Sequence, residues 1–235
     1  MSFSSHDYQN VLAQLASLAD PEYKAFHQRL IPGTTMAHGV RIPELRKIAR
    51  AIIKKDAPGF LVAASPQTYE EIMLTGMVIG GMKCPIEERL AQVAAFLPLV
   101  DNWAVCDTFS TGLKLKSLEE KEAMWTFLLP LFSDDREFYA RFAVVMFLSH
   151  FVEEPWLHQG LALTESMTQE AYYVRMAVAW AVSVCYVKFP QHTLPLLRRQ
   201  ALPAFTQNKA IQKIRESYRV PKEDKAMLLQ YKLPA

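Results

Sequence analysis

Apolar residues recur along the chain at the three-to-four-residue spacing of a helix buried on one face. Val11, Leu12, Leu15 and Leu18 form one such stripe between Tyr8 and Ala19. Asp20-Pro21 opens a second predicted helix, which runs to Leu30 and stops at Pro32-Gly33. Pro43 sits where a first-turn proline belongs and starts a third, Glu44–Lys54. The same spacing predicts helices near Pro66–Met82, Ile86–Leu97, Trp103–Lys114, Glu119–Leu131 and Glu137–Phe151. It continues through Trp156–Met167, Ala171–Phe189, His192–Arg199, Lys209–Ser217 and Lys222–Tyr231. Alternating strand-like runs bounded by Asn-Gly or Asp-Gly are absent. Short helices with short connections predict an all-α chain of stacked helix pairs rather than a globin or a four-helix bundle.

An internal period accompanies this pattern. Arg141-Phe-Ala-Val-Val resembles Arg175-Met-Ala-Val-Ala, and 175 − 141 = 34. The same step forward reaches Lys209 and the same step back reaches Asp107. On stacked repeats these four residues would form a column on one face, the place where a solenoid receives an extended partner. Chance among many Arg and Lys is the competing explanation of the spacing. A tetratricopeptide signature does not recur, which favours HEAT-like pairs.

Composition narrows the classes further. About half of the 235 residues are hydrophobic, enough for a sizeable core, and no linker-like stretch divides them. We therefore expect one domain over residues 1–235. The net charge of +2 is too small to indicate an anionic partner, so any such partner must be read from where the basic residues sit. Cys84, Cys106 and Cys185 are odd in number and far apart, which argues against a disulfide framework or zinc site and fits a reducing cytoplasm. The first residues carry no secretory pattern, and no apolar run is long enough to span a membrane. No HExxH, GxGxxG, Walker A or GxSxG motif occurs, so neither metal nor cofactor is expected.

The stretch Asp101-Asn-Trp-Ala-Val-Cys-Asp107 is the most informative for chemistry. Asp101 or Asn102 is a natural N-cap, and Trp103 and Asp107 then share a helix face one turn apart. An indole and a carboxylate so placed can hold a cation between them; a core tryptophan with an aspartate at its rim is the alternative. Arg141 interrupts an apolar helix, which places it at a cleft edge or beside an acid. Trp180 sits among small residues, which leave room for a ligand at the ring or permit close helix packing. Tyr173 and Arg175 precede it and suit base and phosphate contacts. Lys209, Lys213 and Arg215 form a basic patch near one end of the chain, and Arg41, Arg46 and Lys47 another.

These motifs, with Gly39-Val-Arg-Ile-Pro43 and Ala177-Val-Ala-Trp180, together resemble the AlkD-type DNA alkylation-repair family, in the same order over roughly residues 20–220. The resemblance implies a HEAT-like-repeat α-solenoid whose concave basic face grips double-stranded DNA containing alkylated purines. It implies a monomeric glycosylase that excises cationic N3- and N7-alkylpurines without full base extrusion. Asp107 would be the catalytic carboxylate, Trp103 and Trp180 the tryptophans contacting the damaged nucleotide, and Arg141 a phosphate contact. Arg41, Arg46, Lys47, Tyr173, Arg175, Lys209, Lys213 and Arg215 would bind DNA. An arginine close to Asp107 would also favour its ionised form.

One departure bears on activity. The family carries an aromatic-rich helix before the position of Gly39, whereas Ile31-Pro-Gly-Thr-Thr35 should end that helix early here. Ser183-Val-Cys185 is also less polar than the family's usual pair after the second tryptophan. Two other functions therefore stand beside the glycosylase: a weak or inactive paralogue that binds DNA structure, and a protein-binding helical scaffold.

Overall fold

The computed structural model describes residues 3–234, which contain thirteen α-helices and no strand. The chain divides into two compact units, Met1–Met124 and Trp125–Ala235, and the division falls within α7 (Leu118–Leu128).

In the first unit α1 (Ser5–Ser17) packs on α3 (Ile42–Ala63), and α3 packs on α4 (Tyr69–Gly81). α4 in turn contacts α5 (Ile86–Phe96) and α6 (Trp103–Gly112). α1 begins earlier than its apolar stripe because Ser4 and Asp7 form a reciprocal capping box. α2 (Pro21–Gln28) is capped by Asp20, which accepts the Tyr23 N–H at 2.9 Å. Its buried His27 bonds Tyr69 Oη at 3.1 Å, which ties α2 to α4. α3 outlasts the predicted Lys54 boundary, and its helical backbone breaks at Asp56. The Asp56 carboxylate accepts the Gly59 N–H at 3.0 Å and so restarts the helix, with Pro58 in the new first turn. It also accepts the Phe3 N–H at 2.8 Å. α4 is the central helix, with Met73, Leu74, Val78 and Ile79 buried. Gly76 is required there: a Cβ would stand 2.9 Å from the Phe96 ring, which packs 4.5 Å from Phe109.

In the second unit α8 (Glu137–Met146), α10 (Tyr172–Lys188) and α12 (Ala204–Glu216) pack in that order. α9 (Leu157–Ser166) and α11 (Pro190–Arg198) pack on each other and on α10. The short α13 (Lys222–Met227) follows α12. A 3₁₀ turn at Leu129–Ser133 and a π turn at Phe147–Phe151 replace the ends of two longer predicted helices. Trp125 packs 5.0 Å from Phe151, and Phe151 packs 5.2 Å from Trp156.

Trp125 Nε1 donates to Gln159 Oε1 at 2.8 Å, and Arg199 pairs with Glu165; both partners are 34 residues apart. Arg141, Arg175 and Lys209 fall on α8, α10 and α12, the three helices that pack in sequence.

Candidate functional site

In the first unit Asn102, not Asp101, caps α6: its Oδ1 accepts the Val105 N–H at 3.0 Å. Asp101 instead accepts from the Asn102 amide at 2.7 Å. Helix geometry then turns Val105, Cys106 and Phe109 into the core and leaves Trp103 and Asp107 half-buried, one turn apart. The Trp103 indole donates to the Leu30 carbonyl at 3.0 Å. α2 has ended by then, at Gln28, short of the predicted Leu30 and ahead of the Ile31–Thr35 segment, and the turn that follows it docks on Trp103 through Leu30.

A groove of about 420 Å³ opens along the C-terminal half of α6, beginning at Thr108, the residue after Asp107. Thr108 and Thr111 of α6 line it, with Arg46, Arg50 and Lys54 of α3 and the nearby Lys114. The three α3 cations are spaced i, i+4, i+8 and so occupy one stripe. Among the described residues none of these four cations is in an ion pair. Sequence reading had found Arg46 but not Arg50, Lys54 or Lys114; the four-residue spacing was the available signal. Arg41 and Lys47 sit differently. Arg41 pairs with Asp20 at 2.8 Å and lies over the Tyr23 ring, and Lys47 pairs with Glu44 at 2.7 Å.

The Gly39 motif owes its shape to Glu70, which sequence reading also missed. This fully buried carboxylate accepts the N–H groups of Ala37, His38 and Gly39 at 2.9, 3.0 and 2.5 Å. Gly39 has φ +76°, and a Cβ there would stand 2.4 Å from the Asp20 carbonyl oxygen. Burial holds the neighbouring His27 below its ordinary pKa and raises that of Tyr69.

In the second unit Arg141 is buried, and its Nη1 donates to the Tyr173 carbonyl at 2.6 Å. Glu137, one turn before it, accepts the Tyr173 N–H at 2.8 Å. Together they clamp the start of α10 onto α8. Trp180 is half-buried, while Ala177, Ala179 and Ala181 are fully buried, so these small residues serve close helix packing. Tyr173 and Trp180 are seven residues apart and share a face of α10. Arg175 lies about 140° around the helix from Trp180, with its guanidinium over the Phe205 ring at 4.6 Å.

The three α12 cations do not form one patch. Lys209 and Arg215 line a pocket of about 410 Å³ with Phe205 and Lys232. Lys213 lines a smaller one with Ser183, Val184, Lys188 and Arg219. Ser183 and Val184 are one turn from Trp180, so Lys213 is the cation on the tryptophan's side. The quartet expected from the resemblance is thus carried two by two: Trp103 and Asp107 in the first unit, Arg141 and Trp180 in the second.

The family model for DNA alkylation repair enzymes matches residues 11–214. The chain belongs to that family. No curated relative and no solved structure matches it. The match on this DNA alkylation repair protein reaches from α1 into α12, covering every assigned residue except Arg215. No helix among its described residues is long and apolar enough to cross a membrane.

Proposed function

We propose that this DNA alkylation repair protein is a glycosylase that hydrolyses the N-glycosidic bond of cationic N3- and N7-alkylpurines in duplex DNA. The observation that carries this reading is the α6 face: a half-exposed indole and carboxylate one turn apart, next to a groove whose four cations are in no ion pair among the described residues. We read the chain as a single monomeric domain of HEAT-like repeats over residues 1–235, with a concave basic face. The family match over residues 11–214 supports a single domain, and two 34-residue contacts within the second unit support the repeats there. Its place of action is the cytoplasm, on the nucleoid if the cell is bacterial.

The chemistry asks for little acid catalysis. An N-alkylated purine already carries a positive charge and leaves readily. As the bond breaks, positive charge passes to the deoxyribose. The Asp107 carboxylate stabilises that oxocarbenium-like state and positions the attacking water. The Trp103 ring contributes cation–π attraction to the same charge. Arg46, Arg50, Lys54 and Lys114 neutralise phosphates, as do Lys209, Lys213 and Arg215 in the second unit. Arg141 and Trp180 contact the backbone and sugar of the damaged nucleotide, and Tyr173, Arg175, Arg41 and Lys47 extend the DNA contacts.

The test is release of free base from duplex DNA containing N7-methylguanine, by the natural protein and by Asp107→Asn. Release by the natural protein, reduced at least about 100-fold in Asp107→Asn, is the expected result. Equal release by both removes Asp107 from the mechanism. Release by neither, with duplex binding intact, favours a second reading, a paralogue that binds DNA structure without cutting. The observation favouring that reading is the Trp103–Leu30 hydrogen bond, which commits the indole N–H to the turn that follows α2.

A further inference from the structure

The interhelix contacts of the second unit bring together three ligand-bearing side chains that the repair reading does not use. Glu154 lies in the loop before α9, His158 in the first turn of α9 and His192 in the first turn of α11. His158 Nε2 stands 3.7 Å from Glu154 Oε1, and the His158 and His192 rings are 5.0 Å apart, edge to face. One ligand atom from each of the three lies within 4.8 Å of the others. We propose that Glu154, His158 and His192 bind a zinc-class divalent transition-metal ion at the surface.

Two imidazoles and a carboxylate are a donor set suited to zinc, copper or nickel, whereas magnesium and calcium take oxygen ligands. In a tetrahedral zinc site with bonds of about 2.0 Å, ligand atoms stand roughly 3.4 Å apart. The nearer pair, at 3.7 Å, exceeds this by about 0.3 Å, and the 4.8 Å limit on the separations exceeds it by about 1.4 Å; all three side chains are exposed and able to rotate inward. Their backbones are well held. Buried Trp156 anchors the loop through its N–H to the Glu153 carbonyl at 3.0 Å, and its own carbonyl accepts from Gly160 at 2.8 Å. His192 donates its backbone N–H to Phe189 at 3.2 Å, and its ring packs against Phe189. Among the described residues no hydrogen bond engages either ring nitrogen of His192, so both are available to a metal.

The pairing is local to one step of the repeat. His158 and His192 are 34 residues apart, but the positions one period before and after them are Met124 and Ala226, which carry no imidazole. A bound ion would join the starts of α9 and α11. Sequence motifs missed this site because its ligands come from two helices and a loop rather than from one HExxH-type segment.

The experiment is calorimetric titration of the full-length protein, carrying no histidine tag, with zinc chloride, and separately with magnesium chloride. We expect one zinc per chain, binding at least roughly tenfold weaker in His158→Ala and in His192→Ala, unchanged in the exposed control His6→Ala, and no response to magnesium. A rise in thermal midpoint with zinc should vanish in the same two variants. Zinc affinity unaltered by His158→Ala and His192→Ala, or lost in His6→Ala, overturns the site. So does the absence of zinc binding. All three positions are exposed, so the variants remain folded, and base excision is not part of the readout.

Discussion

Arg141 shows how a residue that looks catalytic in the sequence carries structure as well. Its position inside an apolar helix was legible, and so was the need for a partner. The partner itself was not, because the Tyr173 carbonyl lies 32 residues away. A buried guanidinium donating to a main-chain oxygen makes a charge-assisted bond that is lost when it is removed. Arg141→Met should therefore lower the unfolding free energy by about 1–3 kcal/mol in urea titrations, before any effect on DNA. Unchanged stability would mean that the bond to Tyr173 contributes nothing net to the fold. Asp107 contrasts with it. It is half-buried on the face of α6 that its spacing from Trp103 predicts, so its site was readable from local helix geometry. The Trp103 bond to Leu30, across 73 residues, was not.

At the scale of elements, helices with a clean apolar stripe were legible, and most boundaries were placed by proline or an N-cap. The failures have identifiable causes. α12 begins at Ala204, ahead of the predicted Lys209, because Gln207 is a buried polar residue that masks the stripe. Its amide donates to the carbonyls of Leu197 and Tyr231, contacts that no local pattern announces. α3 passes Lys54 because Asp56 restarts it. α2 shows the strength and the limit of local reading together: its end near Pro32 was foreseen, while its attachment through His27 to Tyr69 was not. That attachment makes a pH prediction. Burial lowers the His27 pKa from 6.5, so the unfolded chain binds more protons than the folded one in the window below 6.5. Stability is then fully present above 6.5 and falls as the pH drops toward the lower, folded value. The urea midpoint should decline as the pH falls below about 6.5, and the decline should shrink in His27→Gln. An equal decline in that variant would assign the slope to other groups.

For the molecule as a whole, the all-helical class and the family were legible, because helical periodicity and ordered motifs survive without knowledge of contacts. The electrostatic arrangement was less so. The sum of 26 basic and 24 acidic residues conceals where unpaired charge collects. Arg41 and Lys47 draw attention in the sequence, yet each is matched by a carboxylate, whereas Arg46, Arg50 and Lys54 line a groove outside any ion pair among the described residues. Exposed ion pairs contribute little and open readily, so Arg41 and Lys47 remain able to meet phosphate. They release a carboxylate when they do, which lowers their net gain. The unpaired stripe has no such competitor. Each phosphate neutralised adds about 0.9 to the slope of log affinity against log salt. Reversing Arg46, Arg50 and Lys54 to Glu together should therefore weaken duplex binding and reduce that slope by about three. Reversing exposed Lys83 and Lys222, which line neither this groove nor the α12 pocket, should leave the slope within about one of the natural protein's. Fluorescence anisotropy over a salt series measures both. A slope indifferent to the α3 reversals would move the DNA away from this groove and deprive the glycosylase reading of the surface that delivers substrate to Asp107.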